Sequence, residues 1–221
     1  MKVAVVGNGP KNLIPDLSPY ESIIDLWIGA DRGALTIIDQ RLPLDLAVGD
    51  FDSISSYQKR RLEDQARKVN VYPVEKDQTD IEIALSHAYS YQPNELYLFG
   101  VTGGRLDHEL INIQLLHHIN QKGINGIMID HYNQIQLTTP GTHHVKKDKL
   151  YPYISFIPLT QTVEGLSLEG FYYPLEYEDI SWGSTLCISN QLISNYGTFS
   201  YGSGILLLVK SRDAMSNTIP M

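Results

Sequence analysis

Short apolar runs alternate with amphipathic patterns over the first 135 residues. Residues 3–6, 23–28, 44–48, 96–99 and 127–129 are the predicted strands. Between them, Ile81, Ala84, Leu85 and Ala88 recur at the i, i+3, i+4, i+7 spacing of one helix face. Thr79 and Glu82 form a capping-box pattern at the start of that helix. A second helix is predicted from about 107 to 121, with Leu110, Ile111, Leu115, Leu116 and Ile119 as its apolar positions and Gly123 as its stop. Strand–helix alternation of this kind implies a mostly parallel sheet covered by helices on both faces, a three-layer α/β domain.

The pattern changes after Pro140-Gly141. Helical periodicity disappears, and Tyr, Ile, Leu, Thr and Ser dominate, punctuated by Gly and Pro. Residues 151–159, 163–168, 185–188 and 205–209 read as strands, with Gly202-Ser203-Gly204 as a turn. The expected organisation is an α/β domain over 1–138 followed by an antiparallel β-sandwich over 139–221.

A net charge of −8 argues against broad nucleic-acid binding. The single cysteine, Cys187, excludes an intrachain disulfide and a structural zinc site, and is expected to be a buried strand residue. Met1-Lys2 leads straight into an apolar run and then a polar turn, unlike a signal peptide. No apolar run approaches the roughly 20 residues needed to span a bilayer. The expected location is cytoplasmic, away from membranes.

Chemistry concentrates in three cassettes: Gly49-Asp50-Phe51-Asp52-Ser53, Lys76-Asp77-Gln78-Thr79-Asp80 and Gly103-Gly104-Arg105-Leu106-Asp107-His108. Carboxylates gathered this way suit a hard cation such as Mg²⁺, which takes one or two of them and leaves room for substrate phosphates. If the first cassette is extended, Asp50 and Asp52 face one side and Phe51 turns into the core. Asp50 could equally end a strand while Asp52 or Ser53 caps a helix. Asp77 and Asp80, three apart at a helix start, also suit the helix dipole alone, with Thr79 as no more than an N-cap. The third cassette lies between a strand and a helix, where glycines let backbone N–H groups approach phosphate. Arg105 adds a fork-shaped cation for phosphate oxygens. His108 and Asn112 share a helix face, although a buried, hydrogen-bonded His108 would read the same. Gly7-Asn8-Gly9 lacks a third glycine, Asn12 standing in its place, and no Walker lysine motif is present.

Together with Gly29-Ala30-Asp31-Arg32-Gly33-Ala34 and Ile188-Ser189-Asn190, these cassettes resemble, in order, the thiamine pyrophosphokinase family. The resemblance implies a nucleotide domain, a thiamine-binding sandwich, and a homodimer with its active sites at the subunit interface. The implied reaction is attack of the thiamine hydroxyl on the β-phosphorus of ATP, giving AMP and thiamine diphosphate. Asp50, Asp52 and Asp80 would hold Mg²⁺, and Arg105, Asp107 and His108 would act with them in catalysis. ATP and thiamine would be held by Asp31, Arg32, Gly33, Asp77, Thr79, Thr102, Gly103, Gly104, Asn112, Tyr173, Ser189 and Asn190. Many relatives carry glycine at the position of Arg32. Trp182 competes with Tyr173 as the ring that stacks on thiamine. The alternatives are a metal-dependent phosphohydrolase and a catalytically inactive sensor of thiamine or nucleotide.

Overall fold

The structure, a computed structural model, describes residues 1–214. It divides into two contact units, Met1–His131 and the chain from Tyr132 onward.

Six strands of the first unit form one sheet in the order β4-β3-β2-β1-β5-β6. They are β1 (Lys2–Val6), β2 (Leu26–Ala30), β3 (Leu46–Gly49), β4 (Val69–Val71), β5 (Glu95–Phe99) and β6 (Asn125–Ile129). Every neighbouring pair among them is parallel. Val3, Ala4, Val5 and Val6 of β1 are fully buried, as expected of a central strand covered on both faces. The strands after β1 step outward on one side as far as β4, and the chain then crosses to β5 on the other side. The order therefore reverses between β1 and β5.

The helices are α1 (Gly33–Asp39), α2 (Ser56–Gln65), α3 (Asp80–Ser90) and α4 (Leu106–Gln121). Ser55 with Gln58, and Thr79 with Glu82, form complete capping boxes that satisfy otherwise orphaned N–H groups at the starts of α2 and α3. Helix α3 buries Ile83, Ala84, Leu85 and Ala88. Helix α4 buries Asn112, Leu115, Leu116 and Ile119, and Gly123 just beyond it has a positive φ of 73°, a typical helix stop. Leu110 and Ile111, expected on its apolar face, are instead exposed.

Gly33 opens α1 because nothing larger fits. A Cβ there would lie 1.9 Å from the carbonyl oxygen of Val6. The helix start is thus pressed against the end of β1, a close approach that glycine alone permits.

The second unit is antiparallel. Strand β13 (Leu206–Ser211) pairs with both β7 (Asn133–Thr138) and β9 (Tyr153–Pro158). A four-stranded sheet has the order β11-β10-β12-β8, comprising β8 (Gly141–Lys146), β10 (Thr162–Glu169), β11 (Leu175–Ser181) and β12 (Tyr196–Tyr201). Its core collects Phe156, Phe171 and Phe199 with Val163, Leu166, Leu206 and Cys187. The Phe156 ring lies 4.8 Å from that of Phe199 and 5.6 Å from that of Phe171. Pro140 falls in the turn from β7 to β8, where the chain passes from one sheet to the other, so the change in sequence character marks that crossing.

Residues 185–188 are not a strand: they form turns, with Leu186 and Ile188 exposed. Cys187 is nevertheless buried, and burial pushes its thiol up to about 11.

Candidate functional site

All the chemistry-bearing loops of the first unit leave the carboxyl ends of its parallel strands. A cavity of about 770 Å³ opens there, within the usual range for small-molecule sites. Asn8, Gly9 and Pro10 reach it from β1, and Gly100 to Arg105 supply lining residues from β5. The β2–β4 ends contribute Asp31, Arg32, Asp50 and Lys76. The cavity thus sits where the strand order reverses, the place at which open parallel sheets bind ligands.

The two central loops are laced together. Gly7 N donates to Phe99 O and Gly9 N to Gly100 O, each at 2.7 Å. Gly100, Gly103 and Gly104 all adopt positive φ, which keeps this loop low against the sheet and leaves its backbone accessible. Asn112, buried in α4, donates its amide to Val101 O at 2.8 Å and ties the loop to the helix. Thr102 is also buried, its hydroxyl donating to Asp130 at 2.8 Å, and it is not among the cavity-lining residues.

Asp31 follows β2 with a φ of 48°, its N–H bonded to Val48 O. Oδ2 accepts from Asn8 at 3.2 Å and from Ser53 at 3.4 Å, while Oδ1 is buried without a hydrogen-bond partner. Burial, then the charges of Asp80 and Asp50, raises the pKa of this carboxyl above the ordinary carboxylate value. Arg32 beside it donates to the Ser53 carbonyl and so straps the first aspartate cassette to the start of α1.

That cassette is not extended. Phe51 has a φ of 55°, and Asp52 N donates to Asp50 Oδ1 at 3.1 Å, which closes a tight turn. The same-side argument for Asp50 and Asp52 therefore fails, although Phe51 is buried as expected. The Asp52 N–H bond lowers the pKa of Asp50, whereas the neighbouring Asp50 carboxylate raises that of the exposed Asp52. Asp50 lines the cavity; Asp52 stands outside the lining, within electrostatic reach of Asp50 and Asp80.

Asp80 occupies the first turn of α3, and Thr79 is its N-cap, with Oγ1 accepting from Glu82 N at 3.3 Å. Lys76 Nζ lies 3.1 Å from Asp80 Oδ1 and 3.5 Å from Asp50 Oδ2. Burial pulls its pKa down, but the two carboxylates prevail and leave it raised. Lys76, Asn8 and Gln78 also line the cavity, three residues to which the sequence pattern assigns no role. Asp77 is exposed and outside the lining.

Arg105 and His108 both line the cavity. The Arg105 guanidinium grips Asp107 with two bonds, Nε to Oδ1 at 3.2 Å and Nη2 to Oδ2 at 2.5 Å. Both side chains are more than 60% exposed, at 74% and 63%, so the pair is weak and can open toward a phosphate.

In the second unit, Asn190 is buried and its side-chain amide makes three hydrogen bonds. Oδ1 accepts from Tyr173 N and Gln191 N, and Nδ2 donates to Tyr173 O at 2.8 Å. Asn190 therefore fixes the backbone beneath Tyr173, whose ring is exposed and edge-on to Tyr172. Ser189 is exposed at a φ of 57°. Trp182 is exposed as well.

A parallel sheet with a carboxylate-lined, glycine-bounded cavity at its reversal point defines an α/β enzyme that handles phosphate groups. Residues 19–128 match the family model of the thiamin pyrophosphokinase catalytic domain, and 142–206 match that of its vitamin B1 binding domain. The chain is 47% identical over 211 residues to the thiamine pyrophosphokinase of Bacillus subtilis, covering 96% of this chain and 99% of that one. The crystal structure of the Bacillus subtilis protein superimposes with a TM-score of 0.92, covering 97% of this chain and 100% of that one. The Geobacillus thermodenitrificans structure, 42% identical, gives 0.87 over 97% and 99%. The chain belongs to the thiamine pyrophosphokinase family.

Replacing Asp31 by Asn removes a carboxylate that folding penalises. The folded pKa is raised, so the penalty grows as pH climbs from the ordinary carboxylate value through the folded one and is complete above it. Asp31→Asn should raise the ligand-free Tm at pH 7, with the advantage fading as pH falls through the folded pKa and gone below about pH 4. An equal or lower Tm at pH 7 would show that the buried carboxylate is not a source of strain.

Proposed function

We propose that this enzyme transfers the pyrophosphoryl group of ATP to the hydroxyethyl group of thiamine, releasing thiamine diphosphate and AMP. The observation that carries this reading is the reversal-point cavity, which brings Asp31, Asp50 and Asp80 into one space with the Gly103-Gly104-Arg105 loop. The thiamine oxygen forms a bond to the β-phosphorus as the bond from that phosphorus to the AMP oxygen breaks, and the hydroxyl proton leaves to a base or to water. Catalysis of such a transfer rests on positioning and on stabilising the charge that builds on the phosphoryl oxygens and on AMP.

The donors suit Mg²⁺. Asp31 Oδ1, buried without a hydrogen-bond partner, and Asp80 Oδ1, paired with the Lys76 ammonium at 3.1 Å, offer lone pairs, and the described residues hold no ready-made cluster of three metal-ligating side chains. A hard ion that takes one or two carboxylates and fills its remaining positions with water and phosphate fits that set. Asp50 and Asp80, with Asp52 beside them, would hold it, and bound there it neutralises phosphate charge. The backbone N–H groups of Gly103 and Gly104 cradle phosphate oxygens. Arg105 releases Asp107 to reach them, and His108 orients the transferred group. Asp77 and Thr102 support the loops that carry these residues.

The sandwich supplies the thiamine side. Tyr173, seated on the Asn190 amide, offers an exposed ring to a cationic thiazolium. The working enzyme is a cytoplasmic homodimer with active sites at the subunit interface. Exposed apolar side chains on the sandwich, including Tyr172, Ile193 and Tyr196, support association of two copies.

With ATP, Mg²⁺ and thiamine, AMP should accumulate in step with thiamine diphosphate; AMP or phosphate released without it would point to a hydrolase. Asp80→Ala should lower kcat by about a hundredfold or more while the circular dichroism spectrum stays native. In Tyr173→Ala, the KM for thiamine should rise more than that for ATP; the reverse order would move the stacking role to Trp182. Sedimentation should give twice the chain mass, and a monomer with full activity would exclude the shared site.

A further inference from the structure

Three cations line the cavity, and only one of them faces its carboxylates in pairs. Arg32 is tied to the Ser53 carbonyl and Arg105 to Asp107. Lys76 instead reaches Asp80 at 3.1 Å and Asp50 at 3.5 Å, and it also donates to Pro73 O at 3.1 Å. Its side chain is 15% exposed, as is that of Asp50, so these charges meet in a partly desolvated space where attraction is stronger than in water. One ammonium therefore bridges, and partly neutralises, the two carboxylates that the proposed reading assigns to the metal.

We infer that Lys76 is an exchangeable counter-cation: it bridges Asp50 and Asp80 in the empty enzyme and turns to the nucleotide phosphates when a divalent ion arrives. This rests on the pyrophosphoryl-transfer reading and deepens it. A lysine is suited to the part, since its ammonium is a compact charge on a flexible four-carbon stem. Two consequences follow from charge alone. A divalent ion must displace Lys76 to bind by itself, so the empty enzyme holds it weakly. Nucleotide gives the displaced ammonium a new partner, so metal and nucleotide tighten one another's binding. Lys76 is thus a positioning residue that occupies the aspartates in the empty enzyme and makes metal loading wait for substrate.

The test uses Mn²⁺, followed by the electron paramagnetic resonance of the free ion, with and without α,β-methylene-ATP, which cannot be cleaved at the reacting bond. Lys76→Met should bind Mn²⁺ alone about tenfold more tightly than the wild type. The factor by which the analogue tightens Mn²⁺ binding should fall by about the same amount. Lys76→Arg, which keeps the charge, should bind Mn²⁺ alone as weakly as the wild type. A lysine that merely braced the loop would give the opposite sign: without it Asp50 and Asp80 would separate, and Lys76→Met would bind Mn²⁺ no better than the wild type, which would overturn the inference. Asp80→Asn separates the two readings. If its Mn²⁺ binding with the analogue matched the wild type, the metal assignment itself would fall, and the exchange with it.

Discussion

Parallel pairing is the constraint from which the site follows. In a sheet whose strands all run one way, every carboxyl end lies on the same edge, and the loops that leave those ends meet there whatever their separation in sequence. Asn8, Asp31, Asp50, Lys76 and Gly103 come from five different strand ends, yet they line one cavity. The order reversal between β1 and β5 sends neighbouring crossovers away from each other and leaves the space between them open. Close backbone contacts then hold the rim. The Gly7–Phe99 and Gly9–Gly100 bonds fasten two loops, and Gly33 lets α1 press against the end of β1.

Electrostatics works against the fold at this rim. Asp31, Asp50 and Asp80 are like charges in one partly dry space, and the shift on Asp31 records the cost. Glycines and a residue such as Phe51 at positive φ keep the acids where packing alone would not place them. Strain of this sort is typical of sites built to receive a counter-charge from a ligand. The two arginines nearby are already occupied by a carbonyl and by an exposed aspartate.

Much of this was legible in the sequence, for identifiable reasons. The strands at residues 3–6, 96–99 and 127–129 are short apolar runs, and α3 combines strict periodicity with a capping box, so each was found nearly to its ends. Helix α2 was missed because it buries only Leu62, which leaves no apolar stripe to read. Strand β11 was missed because, apart from Ile180, it is half-buried or exposed. Residues 185–188 misled in the opposite way: alternation of Leu186, Cys187 and Ile188 with one buried member looks like a strand but belongs to a turn. At the site, the cassettes supply Asp50, Asp80, Gly103, Gly104, Arg105 and His108 to the cavity lining, but they do not show the turn that separates Asp50 from Asp52. That turn rests on the positive φ of Phe51, which no pattern of residue types announces. Lys76 escaped attention because a lysine beside aspartates reads as surface charge until geometry shows what it spans.

The burial of Cys187 has a practical consequence. The chain carries one thiol, sealed in the sandwich core and held protonated at neutral pH. A thiol-specific dye therefore finds nothing to label while that core is closed, and a single mark appears each time it opens. The protein comes with its own chemical clock for the breathing of one half, readable without adding a probe to the other.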